Sequence, residues 1–328
     1  MIAARDRIIG CLKGVATGDA IGKQTETLPR KKVTQWYPNG VQGFEGTPGS
    51  VIPRYLNNAK RQWKVGETTD DTEQTIAVAK AILRERRVSH TGVGRELLLC
   101  RKSVHPGVRS LWEFHEANDP DRIALEHDGC GAAIRVAPVG LVLSPEDLPT
   151  IVAGAREASI STHGGSHALA GAAATAAAVS AAVRGASGEE IAEFAERAAV
   201  LAEQQWPHSD GALFSQAVHS TRSDFLSKRV NVQAQDIAES CFPDSPLTIV
   251  PLALALGTVM ECARSAILLA ANVGGDADSV ASIAGGILGA RNPNSVSDEW
   301  YDVVEHLNGH NLIALGEELS ALRSENVV

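Results

Sequence analysis

Two acidic stretches, far apart in the chain, hold the residues best suited to chemistry: Gly66-Glu67-Thr68-Thr69-Asp70-Asp71-Thr72-Glu73 and Gly274-Gly275-Asp276-Ala277-Asp278-Ser279. Asp70 and Asp71 are adjacent, Asp276 and Asp278 are one residue apart, and each pair stands beside a hydroxyl, Thr69 or Ser279. Oxygen-only donor sets of this kind suit Mg²⁺ or Mn²⁺ rather than Zn²⁺, which prefers nitrogen and sulfur. Both stretches run into apolar, proline-free segments that read as helices, so the acids stand at helix N-termini, where the macrodipole favours an ionised carboxylate. Capping explains one such cluster as readily as metal binding does. Two paired-aspartate starts, one preceded by Gly274 and Gly275 that permit close approach of backbone and ligand, point to a metal site.

Bringing such distant acids together requires a fold that converges helix starts, and the chain reads as helical almost throughout. Residues 5–22 space Gly10, Gly14, Gly18 and Gly22 four apart on one face, with Ile8, Ile9, Leu12 and Val15 as bulk, the pattern of a helix in close contact with a neighbour. Apolar periodicity predicts further helices over 72–87, 92–100, 131–143, 146–158, 167–184, 188–205, 211–220, 233–241, 247–271, 279–290, 297–308 and 311–323. No alternating β-branched run bounded by turn residues stands out. The expected fold class is all-α, one domain over residues 1–328. A long irregular tract at about 28–66, rich in proline and glycine and carrying Trp36, Tyr37, Phe44, Tyr55 and Trp63, reads as an ordered lid or rim. Ala168 to Val183 is alanine-rich and short for a membrane span, and reads as a tightly packed buried helix.

The 328 residues carry a formal charge of −9 with no lysine or arginine block, which weighs against a nucleic-acid surface and against binding to an anionic membrane. Cys11, Cys100, Cys130, Cys241 and Cys262 are widely spaced without a Cys-x-x-Cys, so neither a disulfide framework nor a zinc knuckle is indicated. The N-terminal residues lack a continuous apolar export signal, and a reducing cytoplasm is the expected compartment.

Gly18-Asp19-Ala20-Ile21-Gly22 with Glu26, then Thr69-Asp70-Asp71-Thr72, Gly129-Cys130-Gly131-Ala132-Ala133-Ile134-Arg135, Thr162-His163 and Gly274-Gly275-Asp276-Ala277-Asp278-Ser279 resemble, in that order, the motifs of the ADP-ribosylglycohydrolases, the family of dinitrogenase reductase-activating glycohydrolase and the ADP-ribosylhydrolases. The resemblance implies an orthogonal multi-helix bundle with two Mg²⁺ ions, or Mn²⁺ in some members, at the bottom of a cleft. It implies that Thr69, Asp70 and Asp71 hold one ion, Asp276 and Ser279 the other, and that Asp278 bridges them. The implied reaction is hydrolysis of the ribosyl glycosidic bond of an ADP-ribosylated protein side chain or a small ADP-ribosyl compound, through an oxocarbenium-like transition state. Asp70, Asp71 and Asp278 would then act through the metals, and Glu26 matches a family glutamate near them, a candidate base or gate. Gly129, Cys130 and Gly131 open a helix whose N–H groups suit a pyrophosphate. Arg135 reads either as a phosphate contact or as a buried ion pair with a ligand carboxylate. By resemblance His163 lines the cleft and Gly274 and Gly275 lie against the substrate; Asp19 matches the aspartate of the first motif and reads as orienting a ligand or making a helix-end hydrogen bond rather than binding metal.

Three positions depart from the family pattern: Cys130 stands where many relatives have asparagine, Ile134 where they have methionine, and Ser279 where they have threonine. Serine keeps the ligating oxygen, whereas Cys130 loses an amide and any substrate hydrogen bond it made. Cys130 at a helix start also invites a nucleophile reading, but no base is assigned beside it. His163 and His167 stand four apart, yet the His-Glu-x-x-His context and a third zinc ligand are missing, so His167 reads as structural. His306 and His310 read as surface residues. The alternatives are a catalytically silent ADP-ribose-binding or structural protein, a hydrolase of another ribosyl compound, and a helical scaffold whose acids only cap; the complete set of six oxygen ligands favours the hydrolase. Arginine-linked, serine-linked, poly(ADP-ribose), O-acetyl-ADP-ribose and nucleoside substrates all present a ribose, so the cleft rim must choose among them.

Overall fold

The glycines of the first helix decide how the two acidic stretches meet. The computed structural model describes residues 2–58, 61–208, 211–228, 233–238, 242 and 244–325. The first helix, α1 (Ala4–Gly22), lies antiparallel against Ala277–Arg291, which is α15 in chain order. A Cβ on Gly10 would stand 2.3 Å from the Gly289 carbonyl oxygen, on Gly14 2.0 Å from that of Gly285, on Gly18 2.1 Å from that of Ala281 and on Gly22 2.4 Å from that of Ala277. With hydrogen at all four positions the backbones touch, which no larger residue permits. This register sets the C-terminal end of α1 against the N-terminal end of α15, where Asp276 and Asp278 stand.

Between them, in chain order, run α2 (Arg30–Trp36), α3 (Asp70–Glu85), α4 (His90–Leu97), α5 (Arg109–Ala117), α6 (Gly131–Arg135), α7 (Ala137–Val142), α8 (Leu148–Ser159), α9 (Ser166–Arg184), α10 (Gly188–Gln205), α11 (Phe214–Lys228), α12 (Ala234–Ile237), α13 (Pro246–Val259) and α14 (Ala263–Val273). Two more, α16 (Asp298–Asn308) and α17 (Leu312–Ser324), follow. The described residues contain no strand, only an isolated bridge between Val51 and Lys64, so the all-α expectation holds. The alanine-rich α9 lies at the centre of the core. It is the one helix among the described residues long and apolar enough to cross a membrane, and 94% of its apolar window is buried inside the protein, as the sequence reading of Ala168 to Val183 anticipates.

Several element boundaries depart from the periodicity. The helix expected over 131–143 divides at Val136, because Pro138 lacks the N–H that would continue the ladder and instead starts α7. The helix expected over 247–271 divides at Met260, whose backbone is extended; Arg291 donates to the Met260 carbonyl at 2.8 Å and Ser295 Oγ accepts the Ala263 N–H at 3.0 Å. Those partners are distant in sequence and override local propensity. The helix expected over 211–220 is α11, which runs on to Lys228, and the one expected over 233–241 is described only as α12, Cys241 lying outside the described residues. Helix α5, unanticipated, buries Leu111 and Phe114 and stops at Asn118 in the left-handed conformation.

The 28–66 tract contains α2. Ile52, Tyr55, Trp63 and Val65 form a small core of their own. Gln24, just past α1, ties the tract down: its amide donates to the Gly43 carbonyl at 2.8 Å and accepts the Glu45 N–H at 2.7 Å. Arg54 donates to the Gln24 and Lys23 carbonyls at 2.9 and 3.0 Å, satisfying carbonyls just past the end of α1.

Candidate active site

Helix α3 begins at Thr69, whose hydroxyl accepts the Asp71 N–H at 3.3 Å as an N-cap. Asp19, wholly buried on α1, accepts the Thr69 N–H on both oxygens, the Thr72 N–H at 3.1 Å and the Thr72 hydroxyl. These bonds anchor the start of α3 to α1. Asp70 then projects into a cleft, held by Ser103 Oγ at 2.7 Å and Gln74 Nε2 at 3.1 Å.

Arg135 corrects a sequence expectation. It is fully buried, is not part of the cleft wall, and pairs with no carboxylate among the described residues. Its guanidinium donates to the Ala158 and Ser159 carbonyls, to Thr162 Oγ1 and, at 2.9 Å, to Gln74 Oε1. Gln74 in turn donates to Asp70, so Arg135 orients that carboxylate through an intervening amide instead of meeting it or a phosphate.

On the other side, α15 starts with Asp276, Asp278 and Ser279 lining the same cleft. Gly274 and Gly275 stand behind that wall, a second correction. A Cβ on Gly274 would lie 2.1 Å from the Leu28 carbonyl oxygen, and the Gly275 carbonyl accepts the Thr27 N–H at 2.7 Å. The close approach they permit is to the backbone of residues 27–28, which fixes Glu26 beside the aspartates. Lys23, a residue the motif reading passed over, pairs with Glu26, lies 3.4 Å from Asp278 Oδ2 and sits 4.4 Å over the Trp63 ring.

The cleft holds about 1070 Å³, and its wall includes Glu26, Asp70, Asp71, Asp276, Asp278 and Ser279 together with Gly129, Cys130, Gly131 and His163. The ring of His163 packs on the glycine stretch: a Cβ on Gly131 would stand 2.5 Å from His163 Cε1. Its Nδ1 is 2.8 Å from Thr162 Oγ1 and its Nε2 3.1 Å from Ser110 Oγ. Burial and the Arg135 charge hold this imidazole well below its ordinary pKa, hence neutral. Burial pushes the Cys130 thiol well up, against a nucleophilic thiolate. Asp244, Trp63, Ser103 and Asp128 also line the cleft; none belongs to a recognisable motif. His310 lies 2.8 Å from Thr68 Oγ1 and is partly buried, which corrects its reading as a surface residue, while His306 is exposed.

Burial pushes Asp70, Asp71, Asp276 and Glu26 above the usual carboxylate range, and the Asp278 charge adds to this at Asp71, Asp276 and Glu26. Asp19 rises to about 7 for the same two reasons. Crowded, buried carboxylates of one sign call for cations. Asp71 Oδ1 is buried without a hydrogen-bond partner among the described residues, and with the other carboxylates and Ser279 lining the cleft the donors are all oxygen, which fits hard divalent ions, whereas Thr69 is fully buried, caps α3 and is not part of the cleft wall.

A sequence model described as ADP-ribosylglycohydrolase matches residues 1–327. The chain is 30% identical over 301 residues to the uncharacterized protein YegU of Escherichia coli, covering 87% of each chain. It is 27% identical over 316 residues to the ADP-ribosylarginine hydrolase Tri1 of Serratia proteamaculans, covering 90% of this chain and 75% of that one. It is 26% identical over 165 residues to the ADP-ribosyl-[dinitrogen reductase] glycohydrolase of Rhodospirillum rubrum, covering 47% and 51%. A solved structure titled ADP-ribosylglycohydrolase-related protein complex superposes with a TM-score of 0.72 at 24% identity, covering 98% of this chain and 99% of that chain, and so shares the fold. With motifs, fold and whole-length match in agreement, the chain belongs to the ADP-ribosylglycohydrolase family.

Proposed function

We propose that the cleft hydrolyses the bond between the anomeric carbon of a ribose and its substituent in an ADP-ribosyl compound, releasing ADP-ribose with the help of divalent cations. The observation that carries this reading is the convergence of five carboxylates, Glu26, Asp70, Asp71, Asp276 and Asp278, on one cleft. Thr69, Asp70 and Asp71 would hold one Mg²⁺ or Mn²⁺, Asp276 and Ser279 a second, and Asp278 would bridge. When bound, such ions supply Lewis-acid polarisation of ribose hydroxyls and a water of lowered pKa.

The chain's own groups do the rest. Glu26 Oε2 is held by Lys23 and lies 3.4 Å from the Tyr55 hydroxyl, so Oε1 would take the proton of the attacking water as its oxygen bonds to the anomeric carbon, and return it to the substituent that leaves as the glycosidic bond breaks. Helix α6 has five residues and a small dipole, so phosphate binding rests on the N–H groups of Gly129, Cys130 and Gly131 themselves. His163, kept neutral, shapes that stretch and positions it. Ser103 and Gln74 hold Asp70 still through turnover.

The Serratia relative's name makes arginine-linked ADP-ribosyl peptides the first substrate to try, with serine-linked peptides beside them. ADP-ribose release is expected with Mg²⁺ or Mn²⁺ and its loss with chelator. One observation favours a second reading, ADP-ribose binding without turnover: the Lys23 ammonium already pairs with Glu26 and Asp278. Tight ADP-ribose binding with no release from any linkage would establish it.

A further inference from the structure

Next to the cleft, and sharing Asp128 with its lining, stands a second group of ligand-type side chains with different chemistry. Asp128, immediately before Gly129, places Oδ2 3.0 Å from His167 Nδ1 and 3.6 Å from His208 Nε2. One ligand atom from each of the three lies within 4.8 Å of the others. The two imidazoles are near-parallel, with centroids 4.1 Å apart. The three residues come from separate segments: the loop before α6, the first turn of α9 and the stretch after α10.

We infer that Asp128, His167 and His208 bind one borderline transition cation, of which Zn²⁺ is the type, at a site distinct from the oxygen-only cluster. Two imidazoles and one carboxylate are a donor set found in zinc sites with three protein ligands, whereas the oxygen cluster selects harder ions. The surroundings are those a metal-binding histidine requires. His167 Nε2 stands 3.1 Å from the Ala212 carbonyl oxygen, which can only accept, so Nε2 donates there and Nδ1, turned toward Asp128, is the nitrogen that would coordinate. Asp128 Oδ1 accepts the Ala168 N–H at 2.6 Å, which fixes the carboxylate with Oδ2 toward both imidazoles. The ion would tie the stretch after α10 to the glycine stretch that lines the cleft, and so act on the rim and not on the ribose.

The test uses full-length protein stripped with chelator and titrated with Zn²⁺, and with Co²⁺ as a visible probe. His208 lies in a loop outside any helix, so His208→Ala is chosen as the variant least disruptive to folding, with circular dichroism as the check. Asp278→Asn serves as the control for the oxygen cluster. One Co²⁺ per chain is expected to give the intense visible bands of a low-coordinate nitrogen-oxygen site. His208→Ala is expected to weaken Zn²⁺ binding by at least ~10-fold, the lower bound for perturbing a metal site's supporting shell, and Asp278→Asn to leave it unchanged. Three results would overturn the assignment: no Zn²⁺ uptake by the unaltered protein, the result if a proton joins His167 to Asp128 instead; uptake indifferent to His208→Ala; or uptake lost in Asp278→Asn. Turnover enters none of these readouts, so the zinc site and the proposed hydrolase stand or fall separately.

Discussion

Asp19 gives both of its carboxylate oxygens to one backbone amide: the Thr69 N–H meets Oδ1 at 3.0 Å and Oδ2 at 2.8 Å. The two residues belong to α1 and to the start of α3, so this forked contact sets where Thr69, Asp70 and Asp71 stand relative to the rest of the acid cluster. Asp19→Asn replaces one accepting oxygen with a donor aimed at donors. The variant is expected to bind Mn²⁺ about 10- to 100-fold more weakly, the usual effect of losing a ligand's orienting partner. Isothermal titration calorimetry reads this directly, and equal affinity would show that α3 holds its own start.

Asp70→Asn and Asp278→Asn each remove an anionic oxygen from the proposed ion sites while keeping shape. ADP-ribose release is expected to fall to background in both, with the helical circular dichroism spectrum retained. Turnover at the unaltered rate in either variant would sink the metal-dependent mechanism.

Glu26 is proposed to take a proton and not to bind the substrate. Glu26→Ala is therefore expected to lower kcat far more than it weakens ADP-ribose binding. The reverse pattern, a large loss of ADP-ribose affinity with kcat preserved, would make Glu26 a binding residue.

The metal-free protein should have an inverted pH response. The Asp19 carboxyl is raised to about 7 in the fold, against roughly 4 for an unfolded aspartate. The folded state therefore keeps a proton that the unfolded state releases, and its stability falls as pH rises from about 4 towards 7. The carboxylates of Asp71 and Asp276, raised by burial and by the Asp278 charge, act in the same direction. Chelated protein is expected to melt at a lower temperature at pH 7 than at pH 5, and Mg²⁺ to raise the melting temperature more at pH 7. A chelated protein that gains stability across this range would contradict the crowding of buried acids.

Gly14→Ala tests the helix contact. Its Cβ would stand 2.0 Å from the Gly285 carbonyl oxygen, so α1 and α15 must separate, at a cost of about 1–3 kcal/mol or more for an overpacked core. Urea denaturation measures the loss. Mn²⁺ affinity should fall with it, because α15 carries Asp276 and Asp278 while α1, through Asp19, anchors the start of α3 that carries Asp70 and Asp71.

What the sequence reveals and what it conceals divides along a physical line. Asp70, Asp71, Asp276 and Asp278 are readable because helix starts announce themselves locally, and the four-residue glycine spacing of α1 announces a close contact without naming its partner. Arg135 is misread because its partners, two carbonyls, Thr162 and Gln74, are set by tertiary packing, and an arginine near acids suggests charge pairing first. The glycines at 274 and 275 do permit close approach, but to the Thr27–Leu28 backbone. Lys23, Gln74 and Ser103 touch the key carboxylates from positions that carry no pattern. Asp128 and His208 meet only because α6, α9 and α10 pack as they do, which no local spacing could indicate.

The contact between α1 and α15 has one more consequence. Helices that meet through side chains can be re-spaced by exchanging one rotamer or one residue size for another, so the distance between them drifts as sequences diverge. Here hydrogen faces carbonyl at four successive steps, and the separation has no adjustable part. Any change in what the cleft admits must therefore be written elsewhere, at positions such as Asn58, Arg61 and Trp63 that also line it, while the acids keep their spacing as a fixed gauge.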